Sequence, residues 1–436
     1  MKLSSLVLVV LAVPWVLFSS CSKDKKDDND NNDSGTGDTD TDTDVDADTD
    51  TGSDADTDTD TDTDTDGDTD TDSDSDTDTD TDADGDWLPP GCEVVSTTAQ
   101  GWSSELSFSG DIMVWIDDDE ETEMPEIRCL TLSTGEELIA VDNVASGYYD
   151  HASIWGDWIY WDWMLDGADG YSREIFRKNV VTSAQQQLTD SDCAKYSPLP
   201  GEDKAVYLRA CGGETPIEMY VLTLDSLVSV LVSNEVTGNP SGYDYDGVKW
   251  VVWVDEIAPS TGVNNQYKYD VQNGVGPTVI ETPVYDTVWP RIDNGVAYSA
   301  TAAYPLDLDF GYDVRASDLE TGINTWVFPS AWDQMGGTVS GRVLGYADTE
   351  ELAHNWFADQ TAHVELYDLD TGLTRNLTEV PAEYSGFARH DKYMAYQYGD
   401  TLILCDLEAG GFIDATGHLC PESGCRDADA GVDGGE

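Results

Sequence analysis

The sequence predicts an all-β fold, a β-propeller of seven blades with six as the alternative, preceded by a signal peptide and a disordered Asp/Thr-rich stalk. Three observations predict it. A strand-and-turn motif recurs at intervals of roughly 40 to 50 residues, a period typical of propeller blades. Short β-rich runs fill each interval, and no sustained helical periodicity competes with them. The clearest copy of the motif is Tyr367-Asp368-Leu369-Asp370-Thr371-Gly372, with close relatives at Asp318–Gly322 and Asp406–Gly410 and a looser one at Leu132–Gly135. Degenerate versions stand at Val180–Ser183, Leu224–Leu227 and Val271–Gly274.

Taken in order, residues 1–20 form an export signal, in which Lys2 is the charged start and Leu3 to Phe18 the apolar run. That run is too short for a dependable membrane span. It ends in Leu17-Phe18-Ser19-Ser20-Cys21, which resembles the lipobox of bacterial lipoproteins, with Phe18 departing from the usual aliphatic residue. The resemblance implies that Cys21 carries acyl chains and becomes the mature N-terminus. Each buried methylene then contributes roughly 0.8 kcal/mol to anchoring. Ser22 follows where an aspartate would, by analogy with enterobacterial lipoproteins, favour the inner membrane, so the expected location is the outer membrane, on either its periplasmic or its outer face.

Residues 21–86 are the stalk. The chain carries 89 acidic and 20 basic residues, a net charge of −69, and 29 aspartates against three lysines lie between Lys23 and Asp86. Alternating Asp and Thr offers no apolar face and every Asp repels the next, so the segment is disordered. Its 65 or so residues can extend to on the order of 200 Å. Asp62-Thr63-Asp64-Thr65-Asp66-Gly67 matches half of a calcium loop, but Ser73 stands where a bidentate carboxylate belongs, so no metal or cofactor is expected. A polyanion of this density also excludes nucleic acid as a partner.

The folded domain occupies residues 87–425, before an acidic tail at 426–436. The runs Ile112–Ile116, Trp158–Trp161, Ala205–Leu208, Trp250–Val254, Val296–Tyr298, Val343–Tyr346 and Tyr393–Tyr396 are each expected to be the second strand of a blade. Several follow a Gly or Asp turn suited to hairpins. The units start near Glu105, His151, Tyr196, Ser241, Pro290, Val339 and Gly386. The last is short, so its outermost strand is expected from Val94-Val95, closing the ring with both chain ends.

Gln187-Leu188-Thr189-Asp190, leading to Tyr196-Ser197-Pro198 and Ala205–Leu208, resembles the repeat of TolB-type propellers, a WD-like repeat; Asn376-Leu377-Thr378 before Tyr384-Ser385-Gly386 is a second match. This resemblance implies an exported propeller that binds other envelope proteins, and it carries over no catalytic residue.

The cysteines beyond Cys21 are Cys92, Cys129, Cys193, Cys211, Cys405, Cys420 and Cys425, an odd number suited to an oxidising compartment with one thiol left free. Cys193 and Cys211 fall on neighbouring strand ends. Cys92 with Cys420 or Cys425 would staple the ring, and zinc at Cys420, Cys425 and His418 is the rival use of that pair. Five histidines, His151, His354, His363, His390 and His418, lie in different units. His151 and His390, with Asp150 or Asp391, are the candidates for catalysis near the axis, but no nucleophile elbow or zinc-protease motif accompanies them. The aromatics Trp155, Trp158, Tyr160, Trp161 and Trp163 read as blade packing, and Asp117–Glu121 as a solvated loop. The expected function is that of a monomeric, lipid-anchored, non-catalytic module binding envelope or cell-surface proteins. A carbohydrate-active lyase or hydrolase, or a glycan-binding protein, is the alternative.

Overall fold

The structure of the chain is a computed structural model. It describes residues 88–425 except 100–105, 119–124, 143–146, 166–172, 213–215, 237–241, 257–263, 281–284, 304–311, 329–333, 350–361, 380–383 and 424. The signal segment, Cys21, the stalk with its half calcium loop, His354, Asp119 to Glu121 and the tail all lie outside the described residues.

Seven four-stranded antiparallel sheets form the blades of a ring, and six of them run in simple chain order. They span 107–141, 147–187, 194–236, 243–279, 285–328 and 334–376 for blades 1 to 6. Blade 7 takes three strands from 384–406 and its outermost strand, Cys92–Ser96, from the start of the domain. The innermost strands of successive blades touch all the way round, blade 7 to blade 1 included. All seven β-rich runs singled out above are second strands.

Second strands are apolar on both faces because each is sandwiched between two neighbouring sheets. Trp115, Trp253, Tyr346 and Tyr396 are at 0–1% exposure for this reason. An apolar cluster fills each of the seven interfaces. Val114 and Ile127 meet Ile154 and Trp161 between blades 1 and 2, and Met113 and Trp115 meet Ala395 and Leu404 between blades 1 and 7. The other five junctions are filled in the same way.

The recurring motif is the turn between third and fourth strands. Asp368 ends its strand and its Oδ1 accepts the backbone N–H of Asp370 (2.9 Å) and Thr371 (2.8 Å). Asp318, Asp406 and Asn179 do the same. An Asx side chain thus stands in for a backbone acceptor, which is why Asp or Asn marks the position. Four residues on, the N–H of Gly372 returns to the Asp368 carbonyl (2.8 Å), and every blade repeats this bond. The turn is then tied to the turn between first and second strands, as in Leu369 N–H to Arg342 O (2.8 Å), again in all seven blades.

Gly135, Gly274, Gly322 and Gly372 occupy the left-handed region at this point, but blade 3 places Leu227 there at φ 56°. Left-handed backbone costs an L-residue about 1–2 kcal/mol, more than glycine loses in chain entropy. Because the Leu227 side chain is exposed, Leu227→Gly is expected to raise stability by about 0.5–1 kcal/mol, read as a higher denaturant midpoint.

The Leu-Thr pairs have a matching role. Leu188 and Leu377 are buried, and the hydroxyls of Thr189 and Thr378 accept the N–H of Ile175 and Val364, each at 2.9 Å. Ser197-Pro198 sits in a β-bulge: with Tyr196 opposite Leu208 and Leu199 opposite Val206, one extra residue is accommodated. Blades 2, 5, 6 and 7 carry the same irregularity on their innermost strands, at Asp150-His151, Trp289-Pro290, Gly336-Gly337 and Gly386-Phe387. An innermost strand has one free edge, so proline is tolerated there.

Among the described residues three disulfides form. Cys193–Cys211 bridges the first two strands of blade 3 at their ends. Cys92 departs from expectation: it bonds Cys405, not Cys420 or Cys425, because the register Val94 to Ile403 sets Cys92 directly opposite Cys405. Cys420 and Cys425 bond each other. Cys129 is the remaining thiol, buried in the third strand of blade 1, where burial pushes it up to about 11.

Candidate functional site

Two features gather polar side chains within the ring. The first is a cavity of about 280 Å³ to which the innermost strands of all seven blades contribute. Its apolar lining includes Phe108, Trp155, Tyr245 and Phe387, and its charged lining is Asp244, Asp246, Arg291 and Arg389. Trp155 of blade 2 reaches past blade 3 to lie against Gly247 of blade 4, where a Cβ would collide with the indole. Glycine at φ 79° is therefore required both by the backbone and by the approach of the ring.

The bulges decide what faces this cavity. One extra residue in a strand exchanges its two faces, so side chains beyond Pro290 and Phe387 are re-aimed relative to the simple alternation. Arg389 is buried and donates to the carbonyls of Ser340 (2.6 Å), Asp391 (3.0 Å) and Val343. Burial lowers its pKa to about 10 against the pull of Asp293 and Asp391. Asp244 accepts the N–H groups of Tyr245 (2.9 Å) and Ile292 (2.7 Å), and the second bond links blade 4 to blade 5. Burial pushes its carboxyl up to about 6, with Arg291 opposing the rise.

The second feature is a buried cluster between blades 2 and 3. Asp162, on the second strand of blade 2 and fully enclosed, accepts from His151 Nδ1 (2.9 Å) and from the backbone N–H of Ser197 (2.9 Å), with Arg173 Nη1 at 3.7 Å. Burial alone would raise this carboxyl, but His151, Arg173 and Ser197 hold it below the usual range. The carbonyl of Ser197 takes the Tyr243 hydroxyl from blade 4, and Ser153 donates to Pro198 O. Nearby, Lys195 and Glu174 pair at 2.6 Å, both buried, with the Thr189 hydroxyl on the other Glu174 oxygen.

The histidines considered for catalysis are not brought together. His151 is in the bulge at the middle of its strand, whereas His390 ends the innermost strand of blade 7 and stacks on Phe108 at 6.4 Å. Four residues of strand, about 13 Å at 3.3 Å each, separate those levels along the axis. His363 faces the Thr378 carbonyl at 3.2 Å. His418, in the segment after blade 7, bonds Asp368 (3.0 Å), while Cys420 and Cys425 are taken up by their mutual bond rather than by zinc.

Asp117 corrects another expectation. It lies in the second strand of blade 1 at 1% exposure, accepting from Ser96, Thr98 and the Trp115 indole, so its acid is a structural acceptor and not a solvated loop residue. Of the aromatic group, Tyr160 and Trp161 are core, whereas Trp155 belongs to the cavity. A broader depression of about 580 Å³ lies against blades 4 and 5. Two of its four acids, Asp246 and Asp318, are occupied in capping turns.

No protein-family model matches the chain, and none of the curated proteins does. Solved structures do resemble it. One is a prolyl endopeptidase, with TM-score 0.54 and 15% identity over 74% of this chain and 48% of that one. Another is an oligogalacturonate lyase in complex with manganese, with TM-score 0.51 and 13% identity over 77% and 92% of the two chains. A third is an oligogalacturonate lyase from Vibrio parahaemolyticus, with TM-score 0.51 and 9% identity over 73% and 97%. The chain is a seven-bladed β-propeller. It spans about half the length of the prolyl endopeptidase it matches. At these identities the likeness speaks for the fold alone, which unrelated functions share.

Arg291, Arg389 and Asp244 were not singled out by sequence reasoning. The available signal was Pro290 at a predicted blade start, since a proline in a strand marks a bulge that redirects the residue after it.

Proposed function

We propose that this is a bacterial lipoprotein, acylated at Cys21 and held at the outer membrane, whose stalk carries a TolB-like propeller. The propeller serves as a non-catalytic binding or scaffold module for envelope or cell-surface proteins, as a monomer. The observation that supports the non-catalytic reading is the use made of His151. Its Nδ1 is bonded to an enclosed Asp162 whose same oxygen accepts a backbone N–H from the next blade. Asp162 thereby ties blade 2 to blade 3 and His151 is buried beside it, which supports a structural use of the pair.

The alternative is a polysaccharide lyase or hydrolase, or a glycan-binding protein. It draws on the match to oligogalacturonate lyases over most of their length. One experiment separates the readings. The full chain, expressed in a Gram-negative host fed a palmitate analogue, is expected to be labelled and to fractionate with the outer membrane, both lost in Cys21→Ala. The purified protein is expected to leave pectic and other acidic polysaccharides intact. Turnover that disappears in His151→Ala or His390→Ala, with melting unchanged, would overturn the non-catalytic reading.

A further inference from the structure

The four charged side chains of the axial cavity differ in how far the fold has already used them. Asp246 Oδ1 accepts the N–H groups of Val248 (2.9 Å), Lys249 (2.7 Å) and Trp250 (2.9 Å), which fixes it within its turn. Arg389 is held by three carbonyls. Among the described residues, Arg291 makes one hydrogen bond, from Nη1 to the carbonyl of its neighbour Pro290, at 3.2 Å. A guanidinium carries five N–H donors in a planar fork, so most of its capacity is unspent at a cavity wall. The half-buried carboxylate of Asp244 acts electrostatically on Arg291 without reaching ion-pair distance, and each of its oxygens uses one lone pair. Across the cavity, Phe108, Trp155 and Phe387 supply flat apolar surface.

A fork suited to a carboxylate, an acceptor beside it and an aromatic wall define a ligand. We propose that the axial cavity binds a small carboxylate with a hydroxyl or ammonium on the adjacent carbon and an apolar body, the carboxylate on Arg291 and the adjacent donor on Asp244. The volume of about 280 Å³ suits one such molecule and excludes a folded partner. This site is independent of the lipid anchor and of any protein partner, so it stands or falls separately from the function proposed above.

The test uses the full chain in detergent with two probes, (S)-mandelate and L-phenylalanine, each against its amide, by saturation-transfer NMR and calorimetric titration. At least one acid is expected to bind, with its amide at least tenfold weaker, and which acid binds distinguishes a hydroxy acid from an amino acid. Arg291→Gln and Arg291→Lys are each expected to weaken binding at least tenfold, the lysine variant because it keeps the charge but loses the fork. Arg209→Gln, which removes a half-buried pair with Glu218 on blade 3, away from the cavity lining, is expected to leave binding unchanged. Absence of binding by both acids, equal binding of acid and amide, or wild-type affinity in a folded Arg291→Lys protein would each overturn the proposal.

Discussion

Replacing Cys92 and Cys405 by serine is expected to lower the stability of the propeller by about 4 kcal/mol and its thermal midpoint by on the order of 10 °C. The bond closes a loop with a sequence separation of 313 residues, which contains nearly the whole ring. Its removal releases the largest chain entropy that any crosslink among the described residues restrains. The folded state itself changes little, since Cys92–Ser96 also pairs with its neighbour through backbone hydrogen bonds. The effect is therefore expected chiefly as a shift of the midpoint of calorimetric unfolding, and as faster hydrogen exchange in residues 92–96. Cys193→Ser with Cys211→Ser, closing only 18 residues, is the internal comparison and is expected to cost less. Equal shifts from the two pairs would show that loop length is not what matters here.

Asp162→Ala is expected to cost about 3–5 kcal/mol, because it strips buried partners of an anion instead of merely trimming apolar packing. Ser197 N–H loses its acceptor between blades 2 and 3, and His151 and Arg173 lose the charge they face. The same carboxyl gives a pH dependence of definite sign. Its pKa in the folded chain is below the unfolded value of about 3.9, so its stabilisation is complete above that value and is lost as pH falls through the folded one. Asp162→Asn is expected to remove that acid-side loss, measured as urea midpoints on descending pH. A variant whose midpoints fall as steeply as wild type would reassign the acid sensitivity to another group.

Much of the fold was legible because two chemical demands repeat in each blade. A second strand enclosed on both faces must be apolar throughout, which made Trp250–Val254 and its six counterparts visible without an alternating pattern. A tight turn capped by a side chain must present Asp or Asn, which made Asp368 and Asp318 visible. The contribution of Val94-Val95 to the last blade followed from counting strands. The register of that strand did not, and it is the register that sets Cys92 opposite Cys405.

The cavity was less legible for a related reason. Five of the seven innermost strands are bulged, so alternation fails where Arg291 and Arg389 line the cavity. Acidic residues in a row, as at Asp117-Asp118, suggest solvent, yet Asp117 is enclosed because Ser96, Thr98 and Trp115 converge on it from elsewhere in the chain. Convergence of that kind has no local signature.

The clasp at Cys92 also fixes where tension enters the domain. A tug travelling along the chain from its N-terminal side reaches Cys92 at the very start of its strand, before the hydrogen bonds of Val94 and Ser96 are loaded. A ladder pulled from its end would unzip rung by rung under little force. Here the pull passes through a covalent bond into Cys405, in the enclosed third strand of blade 7. With the bond formed, a pull from that side is thus borne by the interior of blade 7, and with the bond reduced, by its outermost strand.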